Sequence, residues 1–259
     1  PLAAERKARK YRARIYTGFP IRNWDRWLDE SRSHLFVQNL EPGAQPHDLL
    51  AGTKLVAEPG FGGRPSPMGG PDNLDAVWAP DGQSVIFAAT TNRNAAAYDE
   101  VDTHLYQVAA SGGEPRRLTA GRGRYSRPTF APDGKALYCL FQRHSGKLYN
   151  LERLAVLEWP NPGQPKVLTE DWDRSVTGFA LSPDSKTVFL SAEEAGHEKI
   201  FSMPTAGGAI RAVGNMTAGA YTGLAAADKA PLLVANWESA VNPPEAVRVH
   251  PATGEHSFL

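Results

Sequence analysis

One ten-residue pattern occurs three times in this chain at almost equal spacing. The copies are WAPDGQSVIF from Trp78, FAPDGKALYC from Phe130 and LSPDSKTVFL from Leu181. Aligned on Pro80, Pro132 and Pro183, they stand 52 and 51 residues apart. A repeat of this length that contains several short β-like runs predicts the blades of a propeller.

Each copy has the same internal order of strands and turns. A short apolar strand leads into a Pro-Asp-Gly or Pro-Asp-Ser turn, where proline presets φ and aspartate bonds its own backbone. A second strand, a third strand and a glycine-bearing turn into a short fourth strand follow. The fourth strands are predicted to end in Leu118-Thr119, Leu168-Thr169 and Met216-Thr217. In the third copy Ser185 replaces the turn glycine, which predicts a less relaxed turn. Four strands make one blade, and stacking the blades buries faces that one sheet cannot bury alone.

We therefore predict an all-β fold, a β-propeller of four-stranded antiparallel blades. Degenerate units flank the clear copies, so the chain should hold about four complete blades and one partial blade, as an incomplete or open propeller. An N-terminal arm with a short helix and a Trp-rich loop is expected over residues 1–32, and the blades over 33–259. The expected blades are 33–52 (partial), 74–120, 126–170, 177–218 and 222–259.

Charge and cysteine content exclude some classes of function. Lys+Arg and Asp+Glu both number 28, so nothing draws the chain to nucleic acid or to anionic lipid. No run of 18 apolar residues occurs, so no membrane span is predicted. Cys139 is the only cysteine, which excludes an internal disulfide and leaves a cytoplasmic or a periplasmic location open. The chain does not begin with Met, and we expect it to be a piece of a longer protein.

Motifs for the common catalytic chemistries are missing from this sequence. It has no G-x-S-x-G nucleophile elbow, no H-E-x-x-H and no phosphate-binding G-x-x-x-x-G-K. The seven histidines lack metal-ligand spacing. No catalytic residue, metal or cofactor is therefore predicted. Cys139 falls in a predicted second strand, where it is expected to be a buried apolar residue rather than a reactive thiol.

Three polar clusters remain as candidates for a channel or a substrate-binding site. The segment 20–30 is dense in Trp, Arg and acids, although a packed Trp pair with surface ion pairs explains it somewhat better than a binding role does. The segments 121–128 and 170–176 lead into predicted innermost strands, where they could face a central channel or tie neighbouring blades together. The segment 143–154 is predicted to be an insertion at one end of the propeller, where ligands approach. The candidates are Trp24, Asp25, Arg26, Trp27, Arg124, Arg127, Tyr149, Glu152, Arg153, Asp173 and Arg174.

Several stretches, in their order along the chain, resemble the propeller of the prolyl oligopeptidase family. They include RNWDRWLDE, the Pro-Asp-Gly copies, LTEDWDRSV and NPPEAVRVHPATG, and the resemblance runs from about Ala8 onwards. Trp-Asp-Arg-Trp at 24–27 and Trp-Asp-Arg-Ser at 172–175 are its more specific parts. The branch that the chain resembles most is that of bacterial acylaminoacyl peptidases and dipeptidyl peptidases.

This resemblance implies a function that the chain performs together with another domain. In the family, the propeller precedes an α/β-hydrolase domain that carries a Ser-Asp-His triad. The propeller caps that domain, admits only short or unfolded peptides and holds the N-terminal end of the substrate. Family members carry an acidic residue in an insertion like 143–154, and Glu152 is the loose match to it.

The leading hypothesis is thus a substrate-gating, non-catalytic propeller of a serine exopeptidase or oligopeptidase that releases acylated amino acids or dipeptides. Expected partners are the α/β-hydrolase domain of the same parent chain, short peptides, and further copies of the chain through exposed blade ends. Alone, the chain should be inactive. The alternatives are a free-standing propeller that binds other proteins and, more weakly, a glycan hydrolase, which would need paired carboxylates at a channel mouth.

Overall fold

The structure is a computed structural model that describes residues 2–13, 15–16, 18–23, 26–27, 31–64 and 72–259. Its helices are short: α1 spans Leu2–Ala8, α2 spans Lys54–Ala57, and a single 3-10 turn spans Arg93–Ala95. None of the helices within these ranges is long and apolar enough to cross a membrane.

Two small hairpins precede the main body. The first pairs β1 (Arg22–Asn23) with β2 (Arg26–Trp27). The second pairs β3 (Phe36–Val37) with β4 (His47–Asp48). The β3–β4 hairpin falls in the segment where the sequence predicts a partial blade.

Four antiparallel sheets of four strands each follow in chain order. The first contains β5 (Val77–Trp78), β6 (Ser84–Ala89), β7 (His104–Ala109) and β8 (Arg116–Arg117). The second contains β9 (Gly123–Phe130), β10 (Ala136–Arg143), β11 (Glu152–Glu158) and β12 (Lys166–Val167). The third contains β13 (Gly178–Leu181), β14 (Thr187–Glu194), β15 (His197–Pro204) and β16 (Arg211–Ala212). The fourth contains β17 (Ala220–Ala226), β18 (Leu233–Ser239), β19 (Asn242–Val249) and β20 (His256–Phe258). The predicted all-β class with four-stranded antiparallel blades is confirmed.

The hydrophobic core lies between the sheets. Side chains alternate between the two faces of a strand, and in β6 all six residues are buried because both faces are covered. Ile86 and Leu105 of the first sheet pack with Leu137 of the second, and Cys139 is buried in the same layer, as predicted. Burial raises the pKa of the Cys139 thiol to about 12, so the thiol stays protonated and unreactive.

The repeated turn is held by the contact that its sequence predicts. In each copy the aspartate Oδ1 accepts a hydrogen bond from the backbone N–H two residues later. The donors and distances are Gln83 to Asp81 at 2.9 Å, Lys135 to Asp133 at 3.0 Å and Lys186 to Asp184 at 3.1 Å. The fourth residue of each turn is left-handed, with φ of 67° at Gly82, 70° at Gly134 and 57° at Ser185.

The fourth strands end earlier than the sequence suggests. The predicted ends are Leu-Thr at 118–119 and 168–169 and Met-Thr at 216–217, whereas the strands stop at Arg117, Val167 and Ala212. The recurrent threonine has a different role. Thr119 Oγ1 accepts the Leu105 N–H at 3.1 Å and Thr169 Oγ1 accepts the Leu154 N–H at 3.0 Å. A side-chain oxygen thus completes the ladder where the backbone turns away. In the third sheet, Met216 Sδ accepts the Ile200 N–H at 3.4 Å.

Each sheet ends at two faces of the molecule, which we name by their connections. The turn face carries the Pro-Asp-Gly and Pro-Asp-Ser turns. The loop face carries the connections between second and third strands together with the linkers between sheets. Contacts between these two kinds of segment join neighbouring sheets there. Arg122, in the linker after β8, pairs with Asp99 at 2.8 Å and with Asp102 at 2.9 Å.

Candidate functional site

The first strands of neighbouring sheets lie side by side and form what we call the inner edge. β5 contacts β9, and β13 contacts β17. Each first strand begins at the loop face, because it follows directly on a linker between sheets. The segments that the sequence singles out at 121–128 and 170–176 both lie at or next to such a beginning.

Arg127 connects three sheets at the inner edge. β9 has a β-bulge here, where Arg127 and Pro128 together face the single residue Cys139. The Arg127 φ is 51°, a left-handed conformation that few non-glycine residues adopt. Its backbone N–H donates to Asp75 Oδ2 at 3.4 Å, just before β5. Its guanidinium Nη1 donates to the Thr177 carbonyl oxygen at 2.8 Å, just before β13.

Asp75 is held by a second arginine that the sequence did not suggest. Arg64 donates from Nη2 to Asp75 Oδ1 at 2.8 Å and from Nε to Oδ2 at 3.2 Å, so the two residues form a bidentate salt bridge. The Asp75 side chain is only 7% exposed. Hydrogen bonding to Asp75 raises the Arg64 pKa above its ordinary value. Backbone pairing between Arg64 and Asn73, 2.8 Å in each direction, fixes the arginine beside its partner.

Glu152 is anchored at the same edge through its backbone. It is the first residue of β11, so it does not lie in an insertion. The predicted insertion at 143–154 is shorter, and only residues 144–151 connect β10 to β11. The Glu152 N–H donates to Ser175 Oγ at 2.9 Å, and its carbonyl accepts the Val176 N–H at 2.9 Å. These bonds tie the start of β11 to the linker that leads into β13.

The Glu152 carboxyl is half-buried among positive charges. Burial raises its pKa above the ordinary value, and the guanidinium groups of Arg127, Arg124 and Arg64 act in the opposite direction without cancelling the effect. Among the described residues, no group forms a hydrogen bond or an ion pair with this carboxyl. We name these residues the inner-edge cluster: Arg64, Asp75, Arg124, Arg127 and Glu152.

Three other predicted candidates, Arg153, Asp173 and Arg174, form contacts with nearby strands and linkers and are not part of the inner-edge cluster. Arg153 Nη1 donates to the Thr169 carbonyl at 2.8 Å and to that of Trp172, which ties β11 to the next linker. Arg174 pairs with Glu194 at 2.7 Å and also with Asp173, whose side chain is 83% exposed. Arg153, which the sequence places in the 143–154 insertion, thus lies in β11 and contacts the linker that leads into β13.

The remaining candidates lie elsewhere or outside the described residues. Tyr149 is 89% exposed in the 144–151 connection. Trp24 and Asp25 are not among the described residues, and Arg26 is described only as part of β2. The Trp27 ring lies 6.1 Å from that of Tyr16, with ring centroids compared, and is about half exposed.

The side chains that the structure describes do not support a metal centre. No group of three His, Cys, Asp or Glu side chains that could hold a metal ion occurs in the part of the chain that the structure describes. The inner-edge cluster instead combines one carboxyl, unpaired among the described residues, with three guanidinium groups, of which those of Arg64 and Arg127 are held by hydrogen bonds. Such an arrangement is suited to recognising a charged organic ligand.

Sequence comparison relates the chain to a group of peptidases. No family model matches it. It is 24% identical over 246 residues to a protein called dipeptidyl-peptidase 5 from Porphyromonas gingivalis, a match that covers 95% of this chain and 34% of the relative. The chain thus spans about a third of the length of this curated relative.

Solved structures show the same fold at low sequence identity. A puromycin hydrolase structure superposes with a TM-score of 0.62 at 16% identity, over 88% of this chain and 35% of the other. The β-propeller domain of the trilobed protease from Pyrococcus furiosus, described as having an open velcro topology, gives 0.50 at 12% identity. It covers 71% of this chain and 53% of the other. These comparisons confirm the propeller and the resemblance to peptidase propellers that the sequence suggested.

Proposed function

We propose, from the premise that this chain is a propeller related to dipeptidyl-peptidase 5, that it is the substrate-gating, non-catalytic domain of a serine peptidase. The peptidase would act at peptide N-termini and release dipeptides or acylated amino acids. The observation that carries the proposal is the Glu152 carboxyl, half-buried and unpaired among the described residues, at the edge where the first strands begin.

Glu152 offers the group that a peptide amino terminus requires. An α-ammonium group donates up to three hydrogen bonds, and a carboxylate with open lone pairs accepts them. Charge-assisted bonds of this kind are stronger where water is partly excluded. The ammonium would also replace the solvation that Glu152 has lost on burial, so binding favours the ionised carboxylate.

Arg124 and Arg127 would complete the recognition of the substrate backbone. The Arg124 side chain is exposed and is not engaged by an ion pair in the described ranges. Arg127 is fixed by its bonds to Asp75 and Thr177, so its position is set before a ligand arrives. Such pre-organised donors cost little to order on binding. Peptide carbonyl groups or a peptide carboxylate are the expected acceptors.

We assign gating to the inner edge, where contacts between sheets would make the entrance rigid. Arg127 joins residues next to β5 and β13 across its own strand β9, which links three sheets at one point. An entrance braced in this way would admit a flexible chain end and exclude a folded domain. Binding of the amino terminus far from the cut bond would orient the substrate. The catalytic partner in this proposal is an α/β-hydrolase domain of the same parent chain.

Two experiments test the proposal. In the first, Glu152→Gln is compared with wild type for binding of a dipeptide amide with a free amino group, measured by calorimetry. We expect the variant to bind roughly tenfold or more weakly, whereas an N-acetylated dipeptide amide should bind equally weakly to both. Equal affinity of both proteins for the free-amine ligand would overturn the assignment of Glu152.

In the second experiment, the chain alone is incubated with chromogenic dipeptidyl and acyl-aminoacyl substrates. We expect no turnover. Turnover that a serine-directed inhibitor abolishes would refute the non-catalytic role.

The reading frame of the gene decides between the proposal and a free-standing binding propeller, because the proposal requires a G-x-S-x-G segment downstream of Leu259.

A further inference from the structure

Arg124 and Glu152 stand at the two ends of a row of residues that crosses the second sheet. Gln142 of β10 is the register partner of Arg124 in β9 and of Glu152 in β11. Residues directly opposite each other in neighbouring antiparallel strands place their side chains on the same face. This face packs towards the third sheet, because Leu140 and Leu154, two residues further along β10 and β11, lie in the core between the two sheets. We name Arg124, Gln142 and Glu152 the charged row.

The two charged groups of this row are held apart by the neutral one. Gln142 Nε2 donates to the Asn150 carbonyl oxygen at 2.8 Å, so its carboxamide is already bound. Neighbouring strands lie about 4.8 Å apart, which separates β9 from β11 by about 10 Å. Arg124 and Glu152 do not form an ion pair with each other in the described structure, although the arginine charge favours the ionised carboxylate.

Other charges between the second and third sheets are matched by their own neighbours. Glu194 pairs with Arg174 at 2.7 Å and with Lys199 at 2.9 Å. Arg174 also pairs with Asp173. These two acids and two bases cancel, and the bidentate salt bridge of the inner-edge cluster is likewise neutral.

One further cation and one further anion border the row at the same residue. The Arg127 guanidinium donates to the Thr177 carbonyl at 2.8 Å, and Glu198 accepts a hydrogen bond from the Thr177 hydroxyl. The side chains of Arg124 and Glu152 differ from these, because neither is bound by another side chain in the described ranges. The row therefore presents one free cation and one free anion on one surface.

A free dipeptide carries both of the charges that this row complements. Its ammonium group would bind Glu152, and its carboxylate would accept hydrogen bonds from the Arg124 guanidinium. An extended two-residue chain spans about 7 Å, and with a hydrogen bond of about 3 Å at each end it bridges groups about 13 Å apart. Four residues span about 14 Å before either bond is added. The shorter ligand is thus the better match to two strands that lie about 10 Å apart.

We propose that the charged row binds free dipeptides more tightly than it binds the same two residues at the start of a longer chain. In a longer chain the second residue ends in a neutral amide, to which a guanidinium binds more weakly than to a carboxylate. The carboxylate exists only on the released dipeptide, so the consequence is inhibition of the peptidase by its own product. This inference rests on the proposed role of Glu152 in binding the amino terminus.

The test compares Ala-Phe with Ala-Phe amide as ligands of the 259-residue chain, by calorimetry. Backbone amide chemical shifts of the charged row report the location of binding. We expect the acid to bind roughly tenfold more tightly than the amide, as for the gain of one charge-assisted hydrogen bond. Ala-Phe-Ala-Ala should prefer acid over amide by less than about twofold, because its carboxylate lies beyond the reach of Arg124.

Matched variants locate the cation that reads the carboxylate. Arg124→Gln should reduce the preference for Ala-Phe over its amide to less than about twofold, whereas Arg124→Lys should retain most of it. Arg248→Gln is the control, because Arg248 is exposed on β19 and pairs with Val234 on the face turned away from the third sheet. It should leave the preference unchanged.

The outcomes separate this inference from the proposed function. Equal affinity of wild type for Ala-Phe and its amide, a preference that persists in Arg124→Gln, or an equal preference for the tetrapeptide acid would overturn the inference. None of these results touches the proposed function if Glu152→Gln still weakens binding of Ala-Phe amide. Failure of Glu152→Gln to weaken that binding would overturn the proposed function, whatever the ratio of acid to amide affinity.

Discussion

Ser185 shows how one residue carries two opposing effects. Its φ of 57° is left-handed, which costs a non-glycine residue about 1 kcal/mol or more. Its Oγ accepts the Asp133 N–H from the neighbouring turn at 3.0 Å, which stabilises the fold by about 1 kcal/mol. The hydrogen bond between sheets therefore roughly offsets the backbone strain at Ser185.

Two substitutions separate these effects. Ser185→Gly removes the strain and the hydrogen bond together, so the free energy of unfolding should change by less than about 0.5 kcal/mol. Ser185→Ala keeps the strain and loses the bond, so it should destabilise the fold by about 1 kcal/mol or more. Urea denaturation of both variants measures the difference. Ala equal to or more stable than Gly would contradict this account.

Glu152 predicts a pH-dependent stability difference. Its folded pKa is raised above the unfolded value, so ionisation of this carboxyl disfavours the folded state. The penalty is absent below the unfolded pKa and complete above the folded one. Glu152→Gln should therefore raise the free energy of unfolding at pH 7. Near pH 3, roughly one unit below the ordinary pKa of a glutamate, the carboxyl is protonated in both states, so the substitution should leave the free energy of unfolding unchanged. Denaturation at the two pH values tests this. A variant less stable than wild type at pH 7 would show the opposite sign.

At the scale of elements, the threonine after the fourth strand of the first and second sheets is predicted to support the third strand. Thr169 is 1% exposed, and its hydroxyl satisfies the buried Leu154 N–H. Thr169→Val would leave that N–H without a partner and should cost about 1–3 kcal/mol. Thr217→Val is the matched control, because Thr217 is exposed and Met216 Sδ fills the corresponding role in its sheet. Equal effects of the two substitutions would contradict the role of Thr169.

The elements that the sequence predicts are those with local causes. The turns at Pro80, Pro132 and Pro183 follow from proline geometry and an aspartate that bonds two residues ahead, and all three form. The site depends on contacts between distant residues. Arg64 lies in a Gly/Pro-rich connection and meets Asp75 only after folding, so no local pattern marks it. Pro128 was the available signal for the bulge, since proline inside a strand indicates one.

The sequence does not predict strand boundaries correctly where a side-chain oxygen replaces a backbone carbonyl as the hydrogen-bond acceptor. The Leu-Thr pair at 168–169 resembles strand by composition. The strand nevertheless ends at Val167. The Leu168 N–H still donates to the Leu154 carbonyl at 2.8 Å, but the Leu154 N–H is accepted by the Thr169 hydroxyl and not by a backbone carbonyl. The predicted insertion at 143–154 is too broad for a different reason: β11 pairs with β10 back to Gln142 opposite Glu152, so Glu152 begins a strand instead of lying in a loop. That position is what holds its carboxyl half-buried.

At the scale of the molecule, the two ends of the stack differ. The outer face of the first sheet is covered by Leu49, Leu50, Leu55 and Phe61, which precede β5. On the fourth sheet, the face turned away from the third pairs Thr222 with Asn236 and Val234 with Arg248. This face is more polar than the layers between sheets. Self-association through blade ends stays a prediction, and light scattering over a wide concentration range measures it.

The most direct test of the central claim is the titration of the Glu152 carboxyl by carbon-13 NMR, with and without a dipeptide amide that has a free amino group. Burial now holds its pKa above the ordinary value. A bound ammonium group stabilises the ionised form, so we predict that the ligand lowers this pKa, whereas the N-acetylated ligand leaves it unchanged. A Glu152 pKa that is the same with and without the free-amine ligand at saturation would contradict the account.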